Sequence, residues 1–190
     1  MTTTAMRGPA TWQIDPAHTE VGFAVRHLMI STVKGRFGQV SGALTFEERD
    51  PSALSLEVTI PVATVDTREE KRDAHLRSAD FFDAEQHPEI VFRSTGVTKS
   101  GERDYRLSGE LTISGVTRPV VLEVESLGTA KDPWGGTRAG FSARTSIDRR
   151  EFGLTWNQAL EAGGVVVGEK IEIAIEVEAV RRAEKSAAAA

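Results

Sequence analysis

"KIEIAIEVEAV", residues 170–180, alternates almost without a break: Ile171, Ile173, Ile175 and Val177 fall on one side of an extended chain, Glu172, Glu176 and Glu178 on the other. Successive side chains of a strand point to opposite faces, so this period of two marks a strand buried on one face and wet on the other. "ALSLEVTIPV", residues 53–62, repeats the pattern with Leu54, Leu56, Val58, Ile60 and Val62. Working outward, the same alternation takes in Val21, Phe23 and Val25; Leu44 and Phe46; Ile90 and Phe92; Leu107, Leu111 and Ile113; Val120, Leu122 and Val124; and Phe141 with Ile147.

Turn residues separate these runs. "ERDPS" (48–52), "KSGE" (99–102), "SG" (114–115), "DPWGG" (132–136) and "EAGGV" (161–165) supply the Gly, Pro and Asp that tight reversals need. Connections this short favour antiparallel neighbours. Pro119 opens a strand, where a missing N–H matters least, and Gly35, Gly38 and Gly42 punctuate one long segment at a place where it must bend. Two places read as helix: a single turn at "DPAH" (15–18), and "TREEKRDAHL" (67–76), where Thr67 and Glu70 have the spacing of a capping box. A further short turn is expected near "TWNQAL" (155–160). About eight strands of roughly 10 residues exceed the usual 5 or 6, which favours closure over a sandwich, the fold alternative. The expected fold is all-β: an eight-stranded antiparallel barrel with one short α-helix at about 68–76 and a loop covering one end.

The chain of 190 residues fits a single domain, taken as residues 11–181, with flexible segments at 1–10 and 182–190. A formal net charge of -5, with acidic residues spread along the chain, leaves no basic stripe for nucleic acid. Cysteine is absent, so disulfides, thiolate nucleophiles and thiolate metal sites are excluded together. No run approaches the roughly 18–20 apolar residues of a membrane helix, and "MTTTAMRGPATWQIDP" lacks the apolar stretch of a secretion signal; a cytoplasmic location without stable membrane insertion is expected.

An eight-stranded barrel is either just filled by its own side chains or holds one small ligand, and Val, Ile, Leu and Phe suit both. No nucleophile elbow, phosphate loop, dinucleotide fingerprint or paired-histidine metal motif is present, so no catalytic residue, metal or cofactor is assigned. Asp15 reads as a helix cap and Asp148 as a turn residue paired with Arg149. Two alternatives stay open: an enzyme using His27 and a carboxylate at the barrel mouth, and a structural barrel with a filled core.

Six segments in order, "DPAHTEVGFAVRH" (15–27), "GRFG" (35–38), "REEKRDAHLRSADFFDAEQHPEIVF" (68–92), "GELTISGVTRPV" (109–120), "IDRREFGLTWN" (147–157) and "VGEKIEI" (167–173), resemble the YceI-like, polyisoprenoid-binding family over about residues 12–180. The His-Leu-x-Ser-x-Asp-Phe-Phe-Asp string is the most specific of them. The resemblance implies a lipocalin-like barrel that binds, stores or transports a long isoprenoid lipid, a polyprenyl phosphate or an isoprenoid quinone, with a homodimer as a candidate assembly. On this reading the apolar lumen is formed by Val21, Phe23, Val25, Phe37, Leu44, Phe46, Leu56, Val58, Phe81, Phe82, Phe92, Leu111, Phe141 and Trp156. Phe81 and Phe82 follow the expected helix and are placed to fold back over one barrel end. His27, Arg26, Arg36 and His75 are the head-group candidates, since a guanidinium suits bidentate phosphate contact; Arg72, Arg77, Arg149 and Arg150 also flank the motifs.

Overall fold

A computed structural model describes residues 10–47, 50–159 and 163–182; apart from Ala10 and Arg182, the flexible ends expected from the sequence lie outside them. Strands β1 (Ala10–Ile14), β2 (Glu20–His27), β3 (Ser31–Phe37), β4 (Ser41–Glu47), β5 (Asp50–Pro61) and β6 (Val65–Asp66) precede helix α1 (Glu70–Arg77). They are followed by β7 (Glu89–Lys99), β8 (Asp104–Ile113), β9 (Val116–Lys131), β10 (Thr137–Asp148) and β11 (Val167–Arg181). All pairings are antiparallel, in the order β1-β4-β5-β7-β8-β9-β10-β11-β2-β3-β6. The sheet closes because β11 pairs with β10 on one side and with both β1 (Ile14 opposite Ala179) and β2 (Val21 opposite Ile175) on the other.

Eleven segments make eight staves, because β1 runs on into β2, β3 into β4, and β5 into β6. The three breaks lie side by side. A 3₁₀ turn at Pro16–His18 interrupts the first stave, residues 38–40 with Gln39 at φ 55° the second, and a 3₁₀ turn at Val62–Thr64 the third. The Thr64 hydroxyl ties two of them together, accepting from the Gly38 N–H (3.1 Å) and donating to the Pro61 carbonyl (2.6 Å). Asp15 caps its turn as expected, its carboxylate accepting from the Ala17 N–H at 3.0 Å.

Helix α1 differs from expectation at its start. Glu69, not Thr67, is the cap, its carboxylate accepting from the N–H groups of Lys71 (3.2 Å) and Arg72 (2.7 Å). Thr67 is buried, and its N–H and hydroxyl both donate to the buried carboxylate of Asp73, so the capping box is not formed. A buried carboxylate needs donors more than an exposed helix end does. Near residues 155–160 no helical turn forms among the described residues; Ala159 instead bridges to Val165.

The barrel has two unlike ends. The turns between β7 and β8 and between β9 and β10 form a hairpin end. At the helix end lie the β2–β3 turn, the β8–β9 turn, the segment carrying α1, and the β10–β11 connection. Trp12, Ile14, Leu44, Ala139 and Ala179 pack near the first; Phe152 and Leu154, from the β10–β11 connection, pack near the second with Ile113, Val65 and Phe37. Between them Phe23, Val58, Leu111, Ile173 and Ile175 are only half-buried, although each belongs to an inward face. Inward residues that still see open space mark an interior that side chains do not fill.

Two inward glycines seat aromatic rings. A Cβ on Gly35 would lie 2.3 Å from the Phe23 ring, and one on Gly109 would lie 2.3 Å from the Phe92 ring and 2.6 Å from the Arg93 carbonyl oxygen. Gly109→Ala, facing backbone as well as ring, is expected to destabilise the barrel by about 1–3 kcal/mol, read by thermal or urea denaturation.

Candidate binding lumen

The interior holds a cavity of about 450 Å³, within the range of roughly 300–1,000 Å³ of ligand pockets. It is lined from Ile14, Thr19, Ser126 and Thr129 near the hairpin end to Leu76, Phe81, Phe82 and Leu154 at the helix end. Val21, Phe23 and Val25 of β2, Phe37 of β3, Leu44 and Phe46 of β4, Leu56 and Val58 of β5, Phe92 of β7, Leu111 of β8 and Phe141 of β10 all face it. The period of two places them there: each occupies the inward register of its strand.

Phe81 and Phe82 both reach the cavity, although they are consecutive. A turn makes this possible: the Phe82 N–H donates to the Leu76 carbonyl (3.0 Å) and that of Asp83, at φ 49°, to the Ser78 carbonyl (2.9 Å). Phe82 meets Phe37 edge-on at 5.8 Å, while Phe81 packs 5.3 Å from Trp156. Trp156 is the one apolar candidate that does not line the cavity. Its ring lies 4.7 Å from that of His75, which in turn meets Phe81 at 5.1 Å and hydrogen-bonds through Nε2 to Asp80 at 2.8 Å. This aromatic cluster joins the α1 segment to the β10–β11 connection across the helix end.

None of the four head-group candidates lines the cavity. Arg26 is exposed. Arg36 lies on the outer face, 3.3 Å from Asp66 and 3.6 Å from Glu20. His27 is half-buried at the end of β2 with no carboxylate in ion-pair range among the described residues, and His75 is engaged as above. Arg26 follows Val25 and Arg36 precedes Phe37, both of which face inward, so the two arginine side chains must face out.

Arg149 is the one charged side chain that lines the cavity among the described residues, and it is 3% exposed. Its guanidinium donates to the carbonyls of Gly168 (2.9 Å), Leu154, Trp156 (2.9 Å) and Val167 (3.2 Å), binding the β10–β11 connection to the barrel. Burial pushes its pKa down from the ordinary value, against the pull of Glu169 and Asp148. The salt bridge expected between Asp148 and Arg149 goes instead to Arg150, at 2.6 Å, which also meets Glu169 at 2.8 Å. Arg149 turns inward to carbonyls of the β10–β11 connection and of the start of β11, that of Val167 accepting from the Asn157 side-chain amide (2.7 Å) as well.

At the hairpin end the lining includes hydroxyls from Thr19, Tyr105, Ser126 and Thr129, which the alternation of apolar residues did not flag. Ser126 continues the inward register of Val120, Leu122 and Val124; Thr129 is hidden from that count by the irregular register at Gly128, φ 96°. Outside this end, Arg138 is clasped by three carboxylates: Asp15 (2.8 Å), Asp132 (3.1 Å) and Glu178. His18 Nδ1 adds a 2.9 Å contact to Asp15. Asp15, His18 and Glu178 have the spacing of metal ligands, and the two carboxylates of the three hold the Arg138 guanidinium. Hydrogen bonds from His18 and then Arg138 bring the Asp15 pKa down to about 2, and the Gly136 N–H followed by Arg138 lowers that of Asp132.

A model of the YceI-like domain matches residues 12–179. The chain belongs to the YceI-like family. It is 38% identical to the YceI protein of Salmonella newport over 182 residues, covering 95% of this chain and 92% of that one. A UPF0312 protein of Serratia proteamaculans is 41% identical over 174 residues, 90% of this chain and 87% of its own. Among solved structures, the YceI protein of Campylobacter jejuni superposes with a TM-score of 0.70 at 35% identity, covering 83% and 90% of the two chains. BcnA of Burkholderia cenocepacia reaches 0.75 at 22% identity over 87% and 98%, a likeness of fold.

The clasp of this YceI-like barrel has a pH signature. The Asp15 carboxylate titrates near 2 when folded and near 3.8 ordinarily, so its contribution is complete above about pH 4 and is lost as pH falls towards 2. Arg138→Gln removes the shared donor and is expected to move the midpoint of acid unfolding upward, as followed by circular dichroism. Asp148, also near 2 but held by Arg150, keeps its share in that variant.

Proposed function

We propose that the protein binds a long-chain isoprenoid lipid in the barrel lumen and serves to store or carry it. The observation that carries this reading is the unfilled, almost wholly apolar cavity running between the two ends. Membership of the YceI-like family supports it, as does the shared fold with a domain of Saccharophagus degradans described as polyisoprenoid-binding, which superposes with a TM-score of 0.67 at 13% identity, covering 91% and 99% of the two chains. Each buried methylene contributes about 0.8 kcal/mol, so ten to fifteen carbons in a dry tube give on the order of 10 kcal/mol before ordering costs.

The reading is of a binder and not a catalyst. Affinity for a chain comes from burial and needs no reacting group, and the one charged residue lining the lumen spends most of its donors on backbone carbonyls. Such a tube separates neighbouring chain lengths by only about 1–3 kcal/mol per methylene, so length selectivity is modest.

Organic extraction of the purified protein followed by mass spectrometry, with native mass before extraction, is expected to yield near-stoichiometric isoprenoid. Ala143, buried and inward on β10, is the place to block the tube. Ala143→Phe is expected to cut the recovered lipid severalfold while the circular dichroism spectrum is kept. An extract without isoprenoid, or recovery untouched by the blocking residue, sinks the reading.

A further inference from the structure

We propose that the β2–β3 turn is a membrane-docking tip: its apolar side chains enter the headgroup layer of an anionic bilayer, and the basic side chains behind them hold the acidic headgroups. Docking does not depend on what the lumen holds. The turn is built of Leu28, Met29 and Ile30, where tight reversals ordinarily carry Gly, Asn or Asp. The Ile30 N–H donates to the His27 carbonyl at 3.2 Å, and the two residues between them, Leu28 and Met29, stand at φ 51° and 61°. Two consecutive left-handed residues are the geometry that Asn-Gly adopts without strain and that a Leu-Met pair adopts only at a cost.

Exposure adds a second cost. Met29 is 58% and Ile30 82% exposed, although both are residue types that folding ordinarily buries. One turn thus carries backbone strain and bare apolar surface together. Neither helps the chain to fold, and strained backbone persists where function maintains it. The hairpin also projects: residues 31–35 pair with β2 alone among the described residues, since β6 reaches β3 only at Arg36 and Phe37. The Leu28 N–H donates to the Val166 carbonyl at 2.9 Å, which fixes the base of the turn and leaves Ile30 at its tip.

Charge decides which surface the tip fits. Residues 21–46 contain no Asp or Glu, although the chain has 28 of them in 190 residues. Arg26 and Lys34 stand on the two arms of the hairpin, both exposed and neither in an ion pair among the described residues. Carboxylates of the neighbouring segments are engaged elsewhere: Glu20 and Asp66 with Arg36, Glu169 with Arg150, and Glu172 with Lys170. The rival apolar point is Trp134, 85% exposed on the β9–β10 turn at the opposite end. There Asp15, Asp132 and Glu178 surround a single guanidinium, so an acidic bilayer meets net negative charge.

The shape of the tip favours a bilayer over a protein partner. Three apolar residues on a narrow hairpin bury far less than the roughly 1,200 Å² of a stable protein interface, whereas a fluid headgroup layer closes around a tip of any size. No helix among the described residues is long and apolar enough to cross a membrane, and three side chains reach the headgroup boundary and no deeper. Docked this way, the helix end of the barrel, with Phe81 and Phe82 at the lumen, faces the bilayer.

The test is co-sedimentation of the full-length protein with vesicles of phosphatidylcholine alone and of phosphatidylcholine with phosphatidylglycerol at three to one. Binding is expected to favour the mixed vesicles severalfold and to weaken as salt is raised. Ile30→Glu is expected to lower the partition coefficient at least tenfold, and Trp134→Ala to leave it unchanged. Arg26→Gln with Lys34→Gln is expected to remove the preference for mixed vesicles, at about fivefold for each charge. Leu28→Asn with Met29→Gly gives the turn the residues its geometry asks for: the melting temperature is expected to rise while vesicle binding falls, a pairing that an unfolded variant cannot produce. A wild type that stays in solution with both vesicles overturns the proposal. So does an Ile30→Glu variant that binds undiminished, or loss of binding in Trp134→Ala.

Discussion

The hydrogen bonds from β11 to β10 on one side and to β1 and β2 on the other turn a sheet of eleven segments into a tube, and that closure dictates what every alternating residue does. A closed sheet has no edge and only two faces, so the period of two along each strand becomes a division between solvent and lumen. Glu172 and Glu176 stay exposed while Ile171, Ile173 and Ile175 turn inward. The arginines that flank the motifs obey the same rule. Arg36 finds Asp66 and Glu20 on the outer face, where ion pairs contribute little to stability but keep an acidic molecule locally balanced.

Closure leaves two ends, and the chain treats them differently. The helix end is sealed by segments that are not strands: α1 and its following turn supply Phe81 and Phe82, and the β10–β11 connection supplies Phe152, Leu154 and Trp156. Among the described residues neither segment is held by pairing into the barrel's ladder. Arg149 does that work for the second, gathering four carbonyls onto one guanidinium, and Asp73 does it for the first through Thr67. Among the described residues the hairpin end is shaped by turns and by the Arg138 clasp.

What could be read from sequence alone follows the same physics. Alternation carries information about facing, so the strands, the closed antiparallel sheet and the inward set from Val21 to Phe141 were legible, with the helix displaced by a residue or two. The staves broken at Pro16, Gly38 and Val62 were only half visible, because a break shared by three neighbours is set by tertiary contact. Side chains that contradict their local pattern were not legible. Arg149 sits next to two charged residues and reads as surface, yet it is buried, because the carbonyls that need it come from residues 154–168 and meet it only in the fold. Trp156 reads as apolar lining by its company in the motif, but the irregular segment carrying it turns the ring towards His75 instead.

The size of the cavity bears on stability as well as on binding. At about 24 cal/mol per Å³, an apolar void of about 450 Å³ kept empty would cost on the order of 10 kcal/mol, comparable to the whole stability of a typical domain at about 5–15 kcal/mol. A chain selected only to fold would close such a space with larger side chains. This one places Ala139 and Ala143 on the inward face of β10, where leucines of ordinary size would narrow the tube. Small residues at those positions keep the volume open, and a ligand that occupied it would stabilise the barrel by mass action. On the proposed function, folding and loading are two readings of one equilibrium: the strands supply the wall, and a bound lipid would supply the core that the side chains leave out.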